Sequence, residues 1–282
     1  MTAAGLTAVA ACRLAQSELA RDDARFFVLE AETWEGAEAS LIGAAGGLAL
    51  AGKIPLVNLL SSAALIRACE QVRLDLCYHH ANAKLFGSFE GSIEDLALAR
   101  SLPNLTIIAP ADAAAAYRAT LAAGAHAGPV YIRLAQHMAP EVYDAGCPLQ
   151  IGRGIVLRDG SDLTLVAAGL GVVAEALAAA ELLRRDGIDA RVIDLHTIKP
   201  IDRALLKQAA EETGLIITVE EHPVRGGMGG AVAEVLGDEC PVPMRILGIP
   251  EDCRVMHRLH DYGLDAQGIA ASARRALEEQ AA

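Results

Sequence analysis

The sequence is short of positive charge. Its 282 residues include 24 Lys or Arg against 36 Asp or Glu, a formal net charge of -12. That deficit argues against nucleic acid or an anionic membrane as the main partner. It also leaves any affinity for phosphate to local groups or to another chain. Long apolar runs are missing as well. The longest candidate, 41–60, is interrupted by Gly43, Gly46, Gly47, Gly52, Lys53 and Pro55, so no segment is expected to span a bilayer. The first residues have no basic start followed by an apolar stretch and a cleavage site. They read as an amphipathic helix broken by charges, not as a secretory signal. The six cysteines (Cys12, Cys69, Cys77, Cys147, Cys240 and Cys253) form no CxxC pair and show no metal-ligand spacing. They are expected to be small buried thiols in a reducing cytoplasm, with no metal site in this chain.

With 53% hydrophobic and 21% charged residues, the composition is that of a core-forming globular protein. Short β-branched apolar runs at 26–29, 55–59, 83–86, 105–109 and 130–134 alternate with helical patterns at 37–50, 63–76, 93–100 and 112–125. Continuous apolar strands separated by helices predict a parallel sheet covered on both faces. Asp112 stands where it would cap the helix that follows. The pattern dissolves over 136–154, then resumes with strands at 162–167, 190–194, 215–220 and 244–248 and with helices between them. The expected fold class is therefore α/β, in two domains at 1–148 and 149–282, each a mostly parallel sheet flanked by helices.

Three stretches carry a resemblance. Glu38-Ala-Ser-Leu-Ile-Gly-Ala-Ala-Gly-Gly-Leu-Ala-Leu-Ala-Gly-Lys-Ile-Pro55 resembles the transketolase segment that opens with a Glu-Gln pair and continues as a glycine-interrupted helix. Arg191-Val-Ile-Asp-Leu-His-Thr-Ile-Lys-Pro-Ile-Asp202 and the stretch from Thr218-Val-Glu-Glu-His-Pro through Gly226-Gly-Met-Gly-Gly230 to Glu234 look like the transketolase C-terminal domain. Beta subunits of 2-oxo-acid dehydrogenases share similar features. The resemblance runs in order from near residue 8 to near 279. It implies a pyrimidine-binding domain followed by a transketolase C-terminal domain. The Gly-Asp-Gly…Asn motif by which the family holds diphosphate and magnesium does not occur; Gly91-Ser-Ile-Glu-Asp95 and Asp159-Gly-Ser161 lack its context. The resemblance thus implies the C-terminal member of a two-chain enzyme. Thiamine diphosphate and Mg2+ would be held with an N-terminal transketolase-like subunit, and the expected assembly is a heterotetramer of two heterodimers.

By the same resemblance, Glu38 is the acid that hydrogen-bonds the cofactor's aminopyrimidine, which requires a dry setting that raises its pKa. Taken alone, it is an ordinary first-turn glutamate favoured by the helix dipole. Glu35 is the fallback if the register slips by one turn. The family's glutamine after this glutamate is replaced by Ala39, and its Phe-x-x-Phe, whose second ring stacks on the pyrimidine, falls on Leu60 and Ala63. Phe86, Phe89 or a residue of the partner chain is a candidate to substitute for the lost ring. The loop that carries substrate histidines in the family is shortened to 87–95, with Phe89 near the place of the first histidine. Arg133 aligns with an arginine facing the substrate phosphate, at a strand end where ligands gather; otherwise it is a surface or interface arginine. These losses imply a non-standard, bulkier or less polar substrate for a two-carbon ketol or acyl transfer. The alternatives are a scaffold subunit without chemistry and the beta subunit of a 2-oxo-acid decarboxylase. His79 and His80 read as loop surface, His196 and His222 as structural, and Gly226–Gly230 as close packing in preference to an anion cradle.

Overall fold

The computed structural model describes residues 5–31, 36–59, 61–89, 92–135, 138–144, 146–250 and 259–281. Side chains at 89 and 281 also lie outside the description. The chain divides into two compact units, Met1–Ile151 and Gly152–Ala282. Among the described residues no helix is long and apolar enough to cross a membrane.

The first unit alternates strand and helix as the apolar pattern predicts. Its strands are β1 (Phe26–Glu30), β2 (Ile54–Leu59), β3 (Lys84–Phe89), β4 (Thr106–Ile108) and β5 (Val130–Ala135). They lie side by side in the order β1-β2-β3-β5-β4, every pair parallel. The helices are α1 (Ala8–Asp22), α2 (Glu38–Leu50), α3 (Ser62–Arg67), α4 (Cys69–Gln71), α5 (Asp95–Ser101) and α6 (Ala113–Ala125). All six residues of β5 are buried, as expected of a strand covered on both faces. The Asp112 carboxylate accepts from the Ala115 N–H at 2.7 Å and so caps α6. Its other oxygen takes the N–H groups of Val142 and Tyr143, each at 2.7 Å, which ties down the segment after β5.

One helix differs from expectation. The pattern over 63–76 reads as continuous, but α3 and α4 give way to a π-helical stretch at Val72–Tyr78. A wider turn adds a residue without changing composition, so periodicity does not reveal it. The π stretch lies against α2, where a Cβ on Gly46 would stand 3.1 Å from the Asp75 Cβ and 3.2 Å from its carbonyl oxygen. Gly47 has nothing within 4 Å of that position. Gly47→Ala should therefore stabilise the chain by about 0.5–1 kcal/mol, the helix-interior penalty of glycine. Gly46→Ala should destabilise it by about 1–3 kcal/mol through overpacking against backbone. Urea unfolding of the two variants checks the contrast; equal effects would mean that α2 and the π stretch do not touch here.

Lys84, at the start of β3, is fully buried. Its Nζ donates to Asn82 Oδ1 at 2.7 Å, to the His126 carbonyl at 2.7 Å and to the Gly128 carbonyl at 2.6 Å. Burial pushes its pKa from 10.5 down to about 7. The three oxygens pull the other way, because an ammonium has three N–H groups to offer and an amine two. If burial wins, the unfolded chain holds a proton between pH 7 and 10.5 that the folded chain has shed. Stability relative to Lys84→Met should then rise with pH across that window, by at most about 1.4 kcal/mol per pH unit. Denaturant midpoints measured from pH 6 to 10 check this, and a flat difference would show that the three acceptors hold the proton.

The second unit is a five-stranded sheet in the order β11-β10-β7-β8-β6. Its strands are β6 (Ile155–Arg158), β7 (Leu163–Ala168), β8 (Ala190–Asp194), β10 (Ile216–Pro223) and β11 (Met244–Ile249); the short β9 (Thr197–Lys199) follows β8. The helices are α7 (Val172–Arg185), α8 (Arg203–Thr213), α9 (Met228–Glu239) and α10 (Ala266–Ala281). Pairing is parallel except for β6 against β8. The four residues of β6 adjoin the stretch that reads as linker and escape notice there, because they follow glycines and are only partly buried.

Candidate functional site

Alternation along the strands decides which side chains share a face. The register pairs Asn58 with Phe86 and Leu59 with Gly87, then Gly87 with Arg133 and Leu85 with Tyr131. Asn58 exchanges two hydrogen bonds of 2.8 Å with Gln16 of α1, so Asn58 and Phe86 face α1. Leu59, Gly87, Tyr131 and Arg133 face the opposite side, towards α5.

Glu38 is the first residue of α2, beyond the C-terminal end of β1, where ligands of parallel sheets gather. Its side chain is 13% exposed. The partner it finds is Arg67, the last residue of α3, whose Nε and Nη2 both donate to Glu38 Oε1, at 2.9 and 2.5 Å. The hydrogen bonds from Arg67 hold the Glu38 carboxyl below the usual carboxylate range. The raised pKa expected for this residue is thus not found in the chain alone, because a guanidinium stands beside it.

Arg133 does not reach the surface, being 2% exposed. Its Nε donates to both oxygens of Asp95, at 3.3 and 3.1 Å, and the Tyr131 hydroxyl donates to Asp95 Oδ2 at 2.7 Å. The pair is 1% and 0% exposed. Burial beside this carboxylate pushes the Tyr131 hydroxyl well above its ordinary value. Gly87 makes room for the group: a Cβ there would lie 2.6 Å from the Tyr131 ring. The shortened loop is tied to α3 by Ser62, whose hydroxyl donates to the Ser92 carbonyl at 2.7 Å. The Ser92 hydroxyl and the Ile93 N–H donate in turn to Glu94, at 2.8 and 3.0 Å.

The remaining candidates separate. Ala63 is half-buried in α3 and offers no ring. Phe86 is 2% exposed and packed on the α1 face, so its ring is not available to a ligand beside Glu38. Leu60, Glu35 and the Phe89 side chain lie outside the described residues. His79 and His80 are exposed. His196 is buried, with Nδ1 2.9 Å from Thr197 Oγ1, and burial lowers its pKa to about 4. Among the described residues no group of three or more His, Cys, Asp or Glu is placed to hold a metal ion.

Sequence reasoning missed Arg67, Asp95 and Glu220. The Glu220 carboxylate receives the Met228 N–H and, at 2.8 Å, the Gly229 N–H at the start of α9. A Cβ on Gly229 would stand 2.7 Å from Thr218 Oγ1 and 2.9 Å from Glu220 Oε1. The glycine cluster therefore serves close packing, and the helix N-terminus that could have cradled an anion is taken by the chain's own carboxylate.

Residues 36–141 match the family described as "Transketolase, pyrimidine binding domain", and 152–269 match "Transketolase, C-terminal domain". The chain is 39% identical over 260 residues to a 6-deoxy-6-sulfo-D-fructose transketolase subunit of Clostridium sp. (strain MSTE9), covering 86% of this chain and 80% of that one. It is 38% identical to an apulose-4-phosphate transketolase subunit of Phocaeicola vulgatus, covering 84% of this chain and 80% of the relative. A solved chain described as a split gene transketolase, inactive beta4 tetramer, superposes with a TM-score of 0.91 at 38% identity. The match covers 97% of this chain and 99% of that one.

Proposed function

The chain belongs to the transketolase family as the pyrimidine-binding and C-terminal subunit of a split enzyme, and from that premise we propose that Glu38 is the acid of a thiamine-diphosphate site completed by a partner chain. The observation that carries the proposal is the place of Glu38: a carboxyl only 13% exposed, at the N-terminus of α2 and on the strand-end side of the sheet. The residues present fit the aminopyrimidine half of the cofactor and not its other half. They offer one acid at the strand ends, while diphosphate and Mg2+ would be held by an N-terminal subunit that carries the missing motif. When bound, the cofactor supplies the carbon nucleophile for transfer of a two-carbon ketol or acyl unit. Glu38 would hold a proton against the pyrimidine ring nitrogen, a task that only a protonated carboxyl performs. Arg133, expected to face the substrate, is buried against Asp95 in this chain and is left out of the proposed site.

The shortened loop and the absent histidines support a donor other than the ordinary sugar phosphates. The names of the relatives, a sulfofructose and an apulose-4-phosphate transketolase, support a sugar derivative. Domains at 1–148 and 149–282 and a cytoplasmic location belong to the same reading. The Glu38–Arg67 ion pair also suits a subunit without chemistry, which is the second reading. Light scattering of this chain with its N-terminal partner tests the assembly. A complex of two copies of each is expected. A chain that stays apart from its partner would defeat the proposal.

A further inference from the structure

In the chain alone the Glu38 carboxyl already has a partner that competes with the role just proposed, and that partner is a single side chain. Both contacts from Arg67 fall on Oε1. Another charged group against α2 is Asp75, but it meets Gly43 and Gly46, more than a turn further along. Arg67 closes a helix of six residues, and its side chain is 55% exposed. It can swing into solvent without disturbing the core, whereas Glu38 is held at the mouth of the sheet by α2.

We infer that Arg67 is a latch on Glu38: the ion pair keeps the carboxyl turned to α3 and closed to the cofactor until the aminopyrimidine displaces the guanidinium. This rests on the reading of Glu38 as the cofactor's acid. The logic is competition for one oxygen. A carboxylate accepting two charge-assisted hydrogen bonds has no proton to give. An ion pair exposed on one side is weak enough for a bound ligand to break. The closed pair would keep the subunit idle when its partner or cofactor is missing. Arg67 is in this sense a positioning residue: it acts on the reaction only through Glu38.

Glutamate carboxyl 13C titration of the full chain, with Glu38→Gln to assign the resonance, reads the latch without any activity. In wild type the Glu38 resonance should titrate below the ordinary glutamate range. In Arg67→Met it should move up into or above that range, and Arg67→Lys should fall between, since it keeps the charge and loses the two-pronged contact. In the assembly with the N-terminal partner, Arg67→Met should bind thiamine diphosphate with Mg2+ about two- to five-fold more tightly than wild type, because no ion pair has to be broken. An unchanged midpoint in Arg67→Met, or affinity equal to or weaker than wild type, would overturn the latch and leave the role of Glu38 standing. If the wild-type assembly binds no cofactor, the role of Glu38 fails and the latch fails with it.

Discussion

Glu38→Gln should slow hydrogen–deuterium exchange at C2 of thiamine diphosphate, in the assembled complex with Mg2+, by about 10²–10⁴-fold, the usual contribution of a positioned acid or base. An amide can accept or donate a hydrogen bond at the pyrimidine ring, but it has no proton to share with the ring nitrogen. The loss should therefore appear in exchange while assembly and folding stay intact. Glu38 is at a helix start and 13% exposed, so its replacement should cost little stability beyond the dipole interaction of a first-turn acid and the loss of the half-exposed Arg67 pair, each about 0.3–1 kcal/mol. Exchange is the suitable readout because it needs no knowledge of donor or acceptor. A variant that exchanges as fast as wild type would remove Glu38 from the chemistry. The first-turn position alone would then explain it.

The largest effect on stability should come from Asp95→Asn. Asp95 is 0% exposed and receives both the Arg133 guanidinium and the Tyr131 hydroxyl. Its replacement removes the negative charge from a buried pair and leaves the guanidinium without that carboxylate in a low-dielectric interior. Breaking such a pair from one side costs about 3–5 kcal/mol. Tyr131→Phe, which removes one hydrogen bond and no charge, should cost only about 0.5–1.5 kcal/mol. Guanidinium unfolding of the two variants decides the ranking. If Asp95→Asn unfolds within about 1 kcal/mol of wild type, other groups hold the guanidinium, and Arg133 is not anchored as described.

Much of the architecture is legible in the residues because it rests on local patterns. Apolar β-branched runs mark the parallel strands, and the glycine series in α2 marks a helix whose face admits a neighbour. The π-helical stretch at Val72–Tyr78 is not legible, since it alters the turn without altering the periodicity of burial enough to read. The site shows the same division. Glu38 and Arg133 are singled out as candidates by short, contiguous stretches of sequence. Their partners are not: Arg67 lies 29 residues from Glu38 and Asp95 lies 38 residues before Arg133. Nothing in the sequence says that those side chains meet. Phe86 illustrates a different failure. Its position in β3 is near the candidate site along the chain, but strand alternation turns it to the face covered by α1. Only the register with β2 and the Gln16–Asn58 bonds fix which face that is. The glycine cluster at 226–230 reads correctly as packing, yet Glu220, the carboxylate that fills the helix start, sits in the preceding strand and gives no local signal.

Calorimetry with thiamine diphosphate and Mg2+ tests the central claim most directly, on this chain alone and then with its N-terminal partner. The charge-assisted contacts to the diphosphate and metal are expected from the partner, so the chain alone should show weak binding or none. The assembled pair should bind tightly and only when Mg2+ is present. Tight, Mg2+-dependent binding by this chain without a partner would contradict the account.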